Sequence, residues 1–163
     1  MIIFMIGYPL SGKSTIAKEV SKRTGCKYLG TGEYARSIGM GFEKSIPERD
    51  FSEEFNDRIE SKVWETIKNG NCIIDGYPRS IDQAIKILSL PKVRVIYCYS
   101  NPIQIADRLK TRSGEGRVED TDEIVSSRIK ASLELKKNIE GFLDIEMLDT
   151  SDNVSMRNFW ESI

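Results

Sequence analysis

Residues 7–14 read Gly7-Tyr8-Pro9-Leu10-Ser11-Gly12-Lys13-Ser14, which matches the phosphate-loop pattern G-x-x-x-x-G-K-[ST]. The loop follows an apolar segment typical of a strand, residues 2–6, and precedes a segment typical of a helix, residues 13–24. In that setting successive backbone N–H groups point inward at a helix N-terminus and bind an anion. We therefore expect the loop to bind a nucleoside triphosphate, with Leu10, Ser11, Gly12, Lys13, Ser14 and Thr15 as the contacts.

Two side chains of the phosphate loop carry specific expectations. The Lys13 amine would reach the β- and γ-phosphates of the nucleotide, and the Ser14 hydroxyl would ligate Mg²⁺. Asp75 follows the apolar run of residues 71–74, and a carboxylate at the end of a neighbouring strand commonly holds the same ion. Ser14 and Asp75 are therefore the candidate metal ligands. An Asp-Gly turn with no further role is the plainer alternative for Asp75 considered alone.

The composition limits the class of protein. The chain has 163 residues, of which 39% are hydrophobic and 30% charged, and this predicts one globular domain over residues 1–163. A formal net charge of −1 argues against a nucleic acid partner. The apolar runs are too short to span a bilayer and the N-terminus lacks a secretory signal pattern, so we expect no membrane association and a cytoplasmic location. The absence of histidine excludes Ser–His and Cys–His catalytic pairs, and three widely spaced cysteines indicate reduced thiols.

Segments typical of strands and helices alternate along the whole chain, which predicts an α/β fold with a parallel sheet covered by helices on both faces. Five strands are expected, at residues 2–6, 26–29, 71–75, 93–98 and 142–148. Helices are expected at residues 13–24, 32–40, 51–69, 80–89, 102–112, 121–139 and 153–162. Ligands of such sheets bind beyond the carboxyl ends of the strands.

A second group of residues suggests a phosphate and base site. Arg79 and Gln83 follow Asp75 and lie four residues apart, hence on one helix face. An arginine fork suits a phosphate, and a glutamine amide can pair with the edge of a base. The segment Asp75-Gly76-Tyr77-Pro78-Arg79 with Gln83 resembles the D-G-[FY]-P-R…Q signature of adenylate kinases, and residues 31–36 resemble the family's T-G-D-x-x-R segment. The resemblance covers residues 7–152.

The resemblance implies a site for AMP and a monophosphate-binding segment at about residues 31–60. The residues implied to line this site are Thr31, Gly32, Arg36, Gly76, Tyr77, Arg79 and Gln83. Arg36 and Arg79 would hold the acceptor phosphate, and Gln83 would contact the adenine edge. The fold implied is the P-loop NTPase fold with small monophosphate-binding and lid segments.

Four further arginines lie in the C-terminal half of the chain: Arg108, Arg112, Arg117 and Arg128. Considered alone, scattered arginines are usually solvated. The resemblance implies instead that Arg108 packs on the ATP adenine, while Arg112, Arg117 and Arg128 converge with Lys13 and Arg79 on the transferring phosphates. Of these, Arg112 would contact ATP, and Arg117 and Arg128 would contact AMP. It also implies a short lid at about residues 112–120, with no cysteine and so no zinc, and an ATP contact near Asp152.

The chain departs from the family pattern at four places. Leu10 replaces a usual glycine, Ser14 replaces a frequent further glycine, and Glu33 and Glu119 replace aspartates. Glycine adopts unusual backbone conformations more readily than leucine does, so we expect the backbone of the loop around Leu10 to differ from the family's. The segment between Gly32 and Asp75 is also shorter than usual, which leaves the base specificity open.

The resemblance implies an enzyme that transfers the γ-phosphoryl group of Mg-ATP directly to AMP, giving two ADP, and that acts as a monomer. A nucleotide acceptor is already anionic, so the reaction needs no general base. Two alternatives stay open. One is a kinase for a pyrimidine nucleotide (UMP, CMP or dTMP) or another small acceptor, and the other is a nucleotide-binding regulatory ATPase.

Overall fold

The computed structural model describes residues 1–39, 53–113 and 121–163, and for Arg112 and Ser113 it describes the backbone alone. The strands are β1 (Ile2–Gly7), β2 (Lys27–Gly30), β3 (Cys72–Asp75), β4 (Val93–Tyr99) and β5 (Ile145–Asp149). The helices are α1 (Lys13–Thr24), α2 (Thr31–Ser37), α3 (Glu53–Lys68), α4 (Ile81–Ile87), α5 (Pro102–Ser113), α6 (Asp122–Ile139) and α7 (Asn153–Ser162).

The five strands form one parallel sheet in the order β2-β3-β1-β4-β5. The central strand β1 is apolar along its length, as expected for a strand covered on both faces. One apolar cluster includes Phe4, Ile74 and Tyr97, and the other includes Met5, Ile73 and Ile96 from adjacent positions of the same three strands. Because successive strand side chains point to opposite faces, the two clusters are the two sides of the sheet. The predicted fold class is confirmed.

Several element boundaries differ from those predicted. The last strand begins at Ile145 and ends at Asp149, whereas the apolar residues at 142–148 predicted an earlier start. The N–H groups of Phe142 and Leu143 donate to the carbonyl of Ile139, so these two residues close the end of α6. Cys26 precedes β2, which runs instead through Gly30. Helix α4 begins at Ile81, because the Ser80 hydroxyl accepts the N–H of Gln83 and caps it.

Close packing of β1 against β4 requires glycine at the end of β1. Gly7 has φ 124°, and a Cβ there would lie 2.0 Å from the Cys98 carbonyl oxygen. Gly76, at the end of β3, has φ 86°, and a Cβ there would lie 2.7 Å from Thr31 Oγ1. Gly7 thus lets β1 approach β4, and Gly76 lets the turn after β3 approach the start of α2.

The three cysteines, Cys26, Cys72 and Cys98, are buried and unpaired with one another. Burial raises the pKa of Cys72 to about 11 and that of Cys98 to about 12. In the part of the chain that the structure describes, no helix is both long and apolar enough to cross a membrane.

Candidate active site

The phosphate loop connects β1 to α1, and the side chain of Lys13 folds back onto the loop. Gly12 adopts a left-handed conformation, φ 85°, immediately before the first residue of α1. The Lys13 amine donates to the carbonyl oxygens of Gly7, at 3.2 Å, and of Tyr8. A helix N-terminus presents backbone N–H groups that lack partners within the helix, and these favour an anion. The loop therefore places a cation and a helix N-terminus side by side, which is an arrangement suited to a phosphate chain.

Leu10 occupies a conformation that favours glycine. Its φ is 61°, and its side chain is almost fully buried against Ile105, Leu109 and Val125 of α5 and α6. A left-handed conformation costs a non-glycine residue roughly 1–2 kcal/mol. Burying a leucine side chain contributes roughly 1.5–3 kcal/mol, which offsets that cost. Leu10 thus adopts the left-handed conformation that glycine would favour, and its apolar packing offsets the cost of that conformation.

Ser14 and Asp75 lie together at the ends of α1 and β3. The Ser14 hydroxyl donates to Asp75 Oδ2, and the Tyr28 hydroxyl lies 3.5 Å from the same oxygen. Asp75 is buried, and a hydroxyl with a carboxylate is the kind of oxygen donor set that Mg²⁺ accepts alongside phosphate and water. Among residues 1–39, 53–113 and 121–163, no cluster of three or more Asp, Glu, Cys or His side chains could hold a metal by itself. These two residues therefore fit an ion that is shared with a bound nucleotide.

Thr31 and Arg79 are joined on the other side of Asp75. Thr31 Oγ1 lies 3.0 Å from the carbonyl oxygens of Asp75 and Gly76. Arg79 Nη2 donates to Thr31 Oγ1 and Arg79 Nε donates to the Gly76 carbonyl, both at 2.8 Å. The guanidinium is thereby fixed in one orientation beside the turn that follows β3.

Arg79 also faces a second arginine. Burial and the nearby Arg128 charge lower the pKa of Arg79 to about 10, while Asp75 acts in the opposite direction. Two like charges in a partly desolvated site are unfavourable unless an anion lies between or beside them. The pair therefore indicates a position for a negatively charged group.

A cleft of about 260 Å³ unites these groups. Its lining includes the phosphate loop, α2, the turn after β3 and one face of α6. The predicted site residues that line it are Leu10, Gly12, Lys13, Ser14, Thr15, Thr31, Gly32, Arg36, Asp75, Gly76, Arg79 and Arg128. The sequence reasoning missed Ser132 and Leu135, which line the cleft from α6. Their spacing from Arg128, four and seven residues, is a helical periodicity that could have identified them.

Some predicted residues lie elsewhere. The Tyr77 ring is in the apolar core and its hydroxyl donates to Glu60 Oε1 at 3.2 Å, so its side chain does not line the cleft. Gln83 is also buried, and its Oε1 accepts the backbone N–H of Arg79 at 2.8 Å. Ser11 is buried beneath the loop, and Asp152 caps α7 by accepting the N–H of Ser155.

Arg108 lies outside the cleft, on the outer side of the phosphate loop. Its Nη1 donates to the Leu10 carbonyl at 2.8 Å. The sequence reasoning also missed Thr150, whose hydroxyl donates to the Ser11 carbonyl at 2.7 Å and ties the turn after β5 to the same loop. Arg112 is in the last turn of α5, and its side chain is outside the description. Arg117, Glu119, residues 40–52 of the predicted monophosphate-binding segment and residues 114–120 of the predicted lid lie outside the described residues.

Known proteins resemble this chain in sequence and in fold. A family model described as "AAA domain" matches residues 6–126. An adenylate kinase of Mycolicibacterium smegmatis is 28% identical over 145 residues, covering 80% of this chain and 78% of that protein. An adenylate kinase of Mycobacterium ulcerans is 26% identical over 162 residues, covering 90% of this chain and 88% of that protein. The crystal structure of a shikimate kinase from Bacteroides thetaiotaomicron superposes with a TM-score of 0.65 at 18% identity, covering 99% of this chain and 95% of that one.

Proposed function

We propose that this chain, which belongs to the AAA domain family by the match over residues 6–126, is a nucleoside monophosphate kinase. It would transfer the γ-phosphoryl group of Mg-ATP to AMP. The products are two ADP. The observation that carries the proposal is the pair Arg79 and Arg128 facing the phosphate loop across one cleft. A nucleotide-binding switch needs a site for one nucleotide, whereas this cleft offers cationic groups on both sides of the metal position.

The chain's own residues account for both substrates. Lys13 and the first turn of α1 bind the β- and γ-phosphates of ATP, and Arg108 packs against its base. Arg36, Arg79 and Arg128 bind the phosphate of AMP, with Thr31 holding Arg79 in place. Arg112 and Arg117 join this group at the transferring phosphate, as the family resemblance implies. The residues 31–60 and 112–120 act as the monophosphate-binding segment and short lid of one domain.

Catalysis by this arrangement is positioning and charge neutralisation. Arg79 and Arg128 hold the acceptor oxygen of AMP in line with the γ-phosphate of ATP, while Lys13 stabilises the negative charge on the transferring group. The phosphate oxygen of AMP is already anionic, so no histidine or other base is required. Ser14 and Asp75 would hold Mg²⁺, and the chemistry that this ion would supply is neutralisation of the β- and γ-phosphate charge.

The identity of the acceptor base is the part of the proposal most in need of a test. Gln83 was expected to contact adenine, but its Oε1 already accepts the Arg79 N–H. That contact leaves the amide nitrogen of Gln83 as the group that would reach a base. The remaining donor does not discriminate between purine and pyrimidine bases, so a pyrimidine nucleotide stays the second candidate acceptor.

The test is a measurement of ADP formation from ATP with AMP, dAMP, CMP, UMP, GMP or dTMP, beside a control without acceptor. We expect AMP to give the highest kcat/KM. A preference for UMP, CMP or dTMP would replace AMP as the acceptor. Equal ADP formation with and without acceptor would instead identify an ATPase and overturn the kinase proposal.

Three further properties belong to this proposal and are open to direct measurement. We propose that the protein is a monomer, which light scattering would test. We also propose that it lies in the cytoplasm, which cell fractionation would test. Zinc is not required, so activity with Mg²⁺ should survive treatment with a zinc-selective chelator.

A further inference from the structure

A chain of hydrogen bonds runs along α5 to the phosphate loop. Gln104 Oε1 accepts from Arg108 Nη2 at 3.0 Å and from the Ser100 hydroxyl at 3.3 Å. Arg108 Nη1 in turn donates to the Leu10 carbonyl at 2.8 Å. Gln104 and Arg108 are four residues apart, so they lie on the same face of the helix. Ser100 is buried at the end of β4, which anchors the chain of hydrogen bonds to the sheet.

These bonds fix the plane of the Arg108 guanidinium. The group is planar, and its two Nη atoms are held by acceptors from two different elements, the phosphate loop and α5. A Cβ placed on Gly12 would lie 3.7 Å from Arg108 Nη1, so the guanidinium sits directly beside the last turn of the loop before α1. A side chain as long as arginine loses considerable rotamer freedom when it is ordered. Here the acceptors that order it are groups of the protein itself, the Leu10 carbonyl and Gln104 Oε1.

Leu10 also stabilises the contact between the phosphate loop and α5. Its side chain packs against Ile105 and Leu109, which occupy the turns of α5 that flank Arg108. The residue thus contacts α5 twice, through its apolar side chain and through its carbonyl oxygen. Glycine in this position would keep the carbonyl but lose the apolar contact. Leucine therefore fixes the distance between the loop and α5.

We propose that Gln104 and Leu10 are positioning residues for the donor nucleotide, which orient the Arg108 guanidinium beside the phosphate loop before ATP binds. This inference rests on the proposed function only in taking ATP as the donor. A ligand that meets a side chain already ordered does not have to supply the entropy of ordering it. The consequence is a contribution to ATP affinity that has no counterpart at the acceptor site.

The test compares Gln104→Leu, Gln104→Glu and Thr111→Val by isothermal titration with ATP and, separately, with AMP. Gln104→Leu removes the acceptor, whereas Gln104→Glu keeps a carboxylate oxygen for both donors. Thr111→Val removes a hydroxyl that bonds the Asp107 carbonyl on the exposed face of the same helix, and is the matched control. A second variant, Leu10→Ala, removes the apolar contact and keeps the carbonyl.

We expect Gln104→Leu to raise the ATP Kd about 5- to 20-fold, because ATP would then have to supply the entropy of ordering one long side chain. The AMP Kd should change less than twofold, Gln104→Glu should restore ATP affinity, and Leu10→Ala should also weaken ATP selectively. The inference is overturned if Gln104→Leu binds ATP like the wild type, if it weakens ATP and AMP equally, or if Gln104→Glu behaves like Gln104→Leu. These titrations contain no second substrate. Wild-type protein that binds ATP but phosphorylates no acceptor would therefore overturn the kinase proposal. The titrations of the Gln104 variants would still test the positioning role of Gln104.

Discussion

Arg79 and Arg128 place two like charges in one cleft. At the scale of single residues, this pair lowers the stability of the fold and favours the binding of an anion. The pKa of Arg79 is lowered to about 10, so the folded environment disfavours its charged form. Since a lowered pKa for a cation means that the charge costs stability at every pH below that value, the cost is fully present at neutral pH. An anion bound between the two groups reverses the sign of the interaction.

We expect Arg128→Gln to leave the melting temperature of the nucleotide-free protein unchanged or raised, because one of the two like charges is removed. The same change should raise the KM for AMP by roughly 10- to 100-fold, the usual effect of losing a hydrogen bond between charged groups. Differential scanning fluorimetry and steady-state kinetics measure the two effects. Lys130→Gln, an exposed change on the same helix, is the control. A lower melting temperature with an unchanged KM would show that Arg128 acts in packing.

Lys13 is the residue from which the largest loss of activity is expected. Removing one donor to the charge that develops in a transition state typically costs roughly 3–4 kcal/mol. Lys13→Ala should therefore lower kcat by at least about a hundredfold. Lys22→Ala, an exposed lysine in the last turn of the same helix, should leave kcat within twofold. Single-turnover kinetics with saturating ATP would separate this effect from a loss of binding, and a purely KM effect would contradict the assigned role.

At the scale of elements, the approach of β1 to β4 is limited by one backbone contact. Gly7 pairs with Cys98, and a Cβ on Gly7 would lie 2.0 Å from the Cys98 carbonyl oxygen. We expect Gly7→Ala to lower the free energy of unfolding by at least ~2 kcal/mol, from backbone strain together with this clash. Urea denaturation measures the change.

The control for Gly7→Ala is Gly25→Ala, at the end of α1. Gly25 also has a positive φ, 71°, but a Cβ there would have no atom within 4 Å. It should therefore cost only the conformational term, about 1–2 kcal/mol. Equal effects of the two substitutions would mean that conformation alone, and not strand packing, requires glycine at Gly7.

Periodicity predicted the elements well where apolar residues serve a single purpose. The regular apolar positions of α3, Phe55, Ile59 and Val63, are buried as a single face of that helix. The start of β5 was wrong because Phe142 and Leu143 are apolar for a different reason: they close α6, and their N–H groups bond to Ile139. Apolar residues in a turn cannot be distinguished from a strand by periodicity alone.

For the whole molecule, two independent anion sites predict that the two ligands raise the free energy of unfolding additively. A ligand present at 100 times its Kd stabilises the native state by about 2.7 kcal/mol. For a protein of this size that corresponds to roughly 5–11 °C in melting temperature. We expect a non-hydrolysable ATP analogue and AMP each to produce such a shift, and both together to produce approximately the sum. Thermal denaturation with each ligand measures this, and a shift with the ATP analogue alone would favour the regulatory ATPase.

The candidate site was predictable from the sequence to the extent that its residues belong to short motifs. The residues of the phosphate loop, Thr31, Asp75 and Arg79 could be placed because their spacing along the chain is the signal. Gln104 and Thr150 could not, because both depend on contacts between distant parts of the chain. Gln104 acts through Arg108, which bonds Leu10, and Thr150 bonds Ser11. The role of Gln83 was predicted as a base contact, whereas its observed bond to the Arg79 N–H depends on the local turn geometry.

The burial of all three cysteines has a practical consequence for spectroscopy. Thiol reagents are attacked by exposed thiolates, and Cys72 and Cys98 are both inaccessible and held protonated at neutral pH. Cys26 is only 4% exposed. A single cysteine introduced on the surface, for example at Lys22 or Lys130, would therefore be the one position to accept a maleimide dye in the native protein. Pairs of such positions would allow distances between α1 and α6 to be followed by fluorescence energy transfer during turnover, without first removing the natural cysteines.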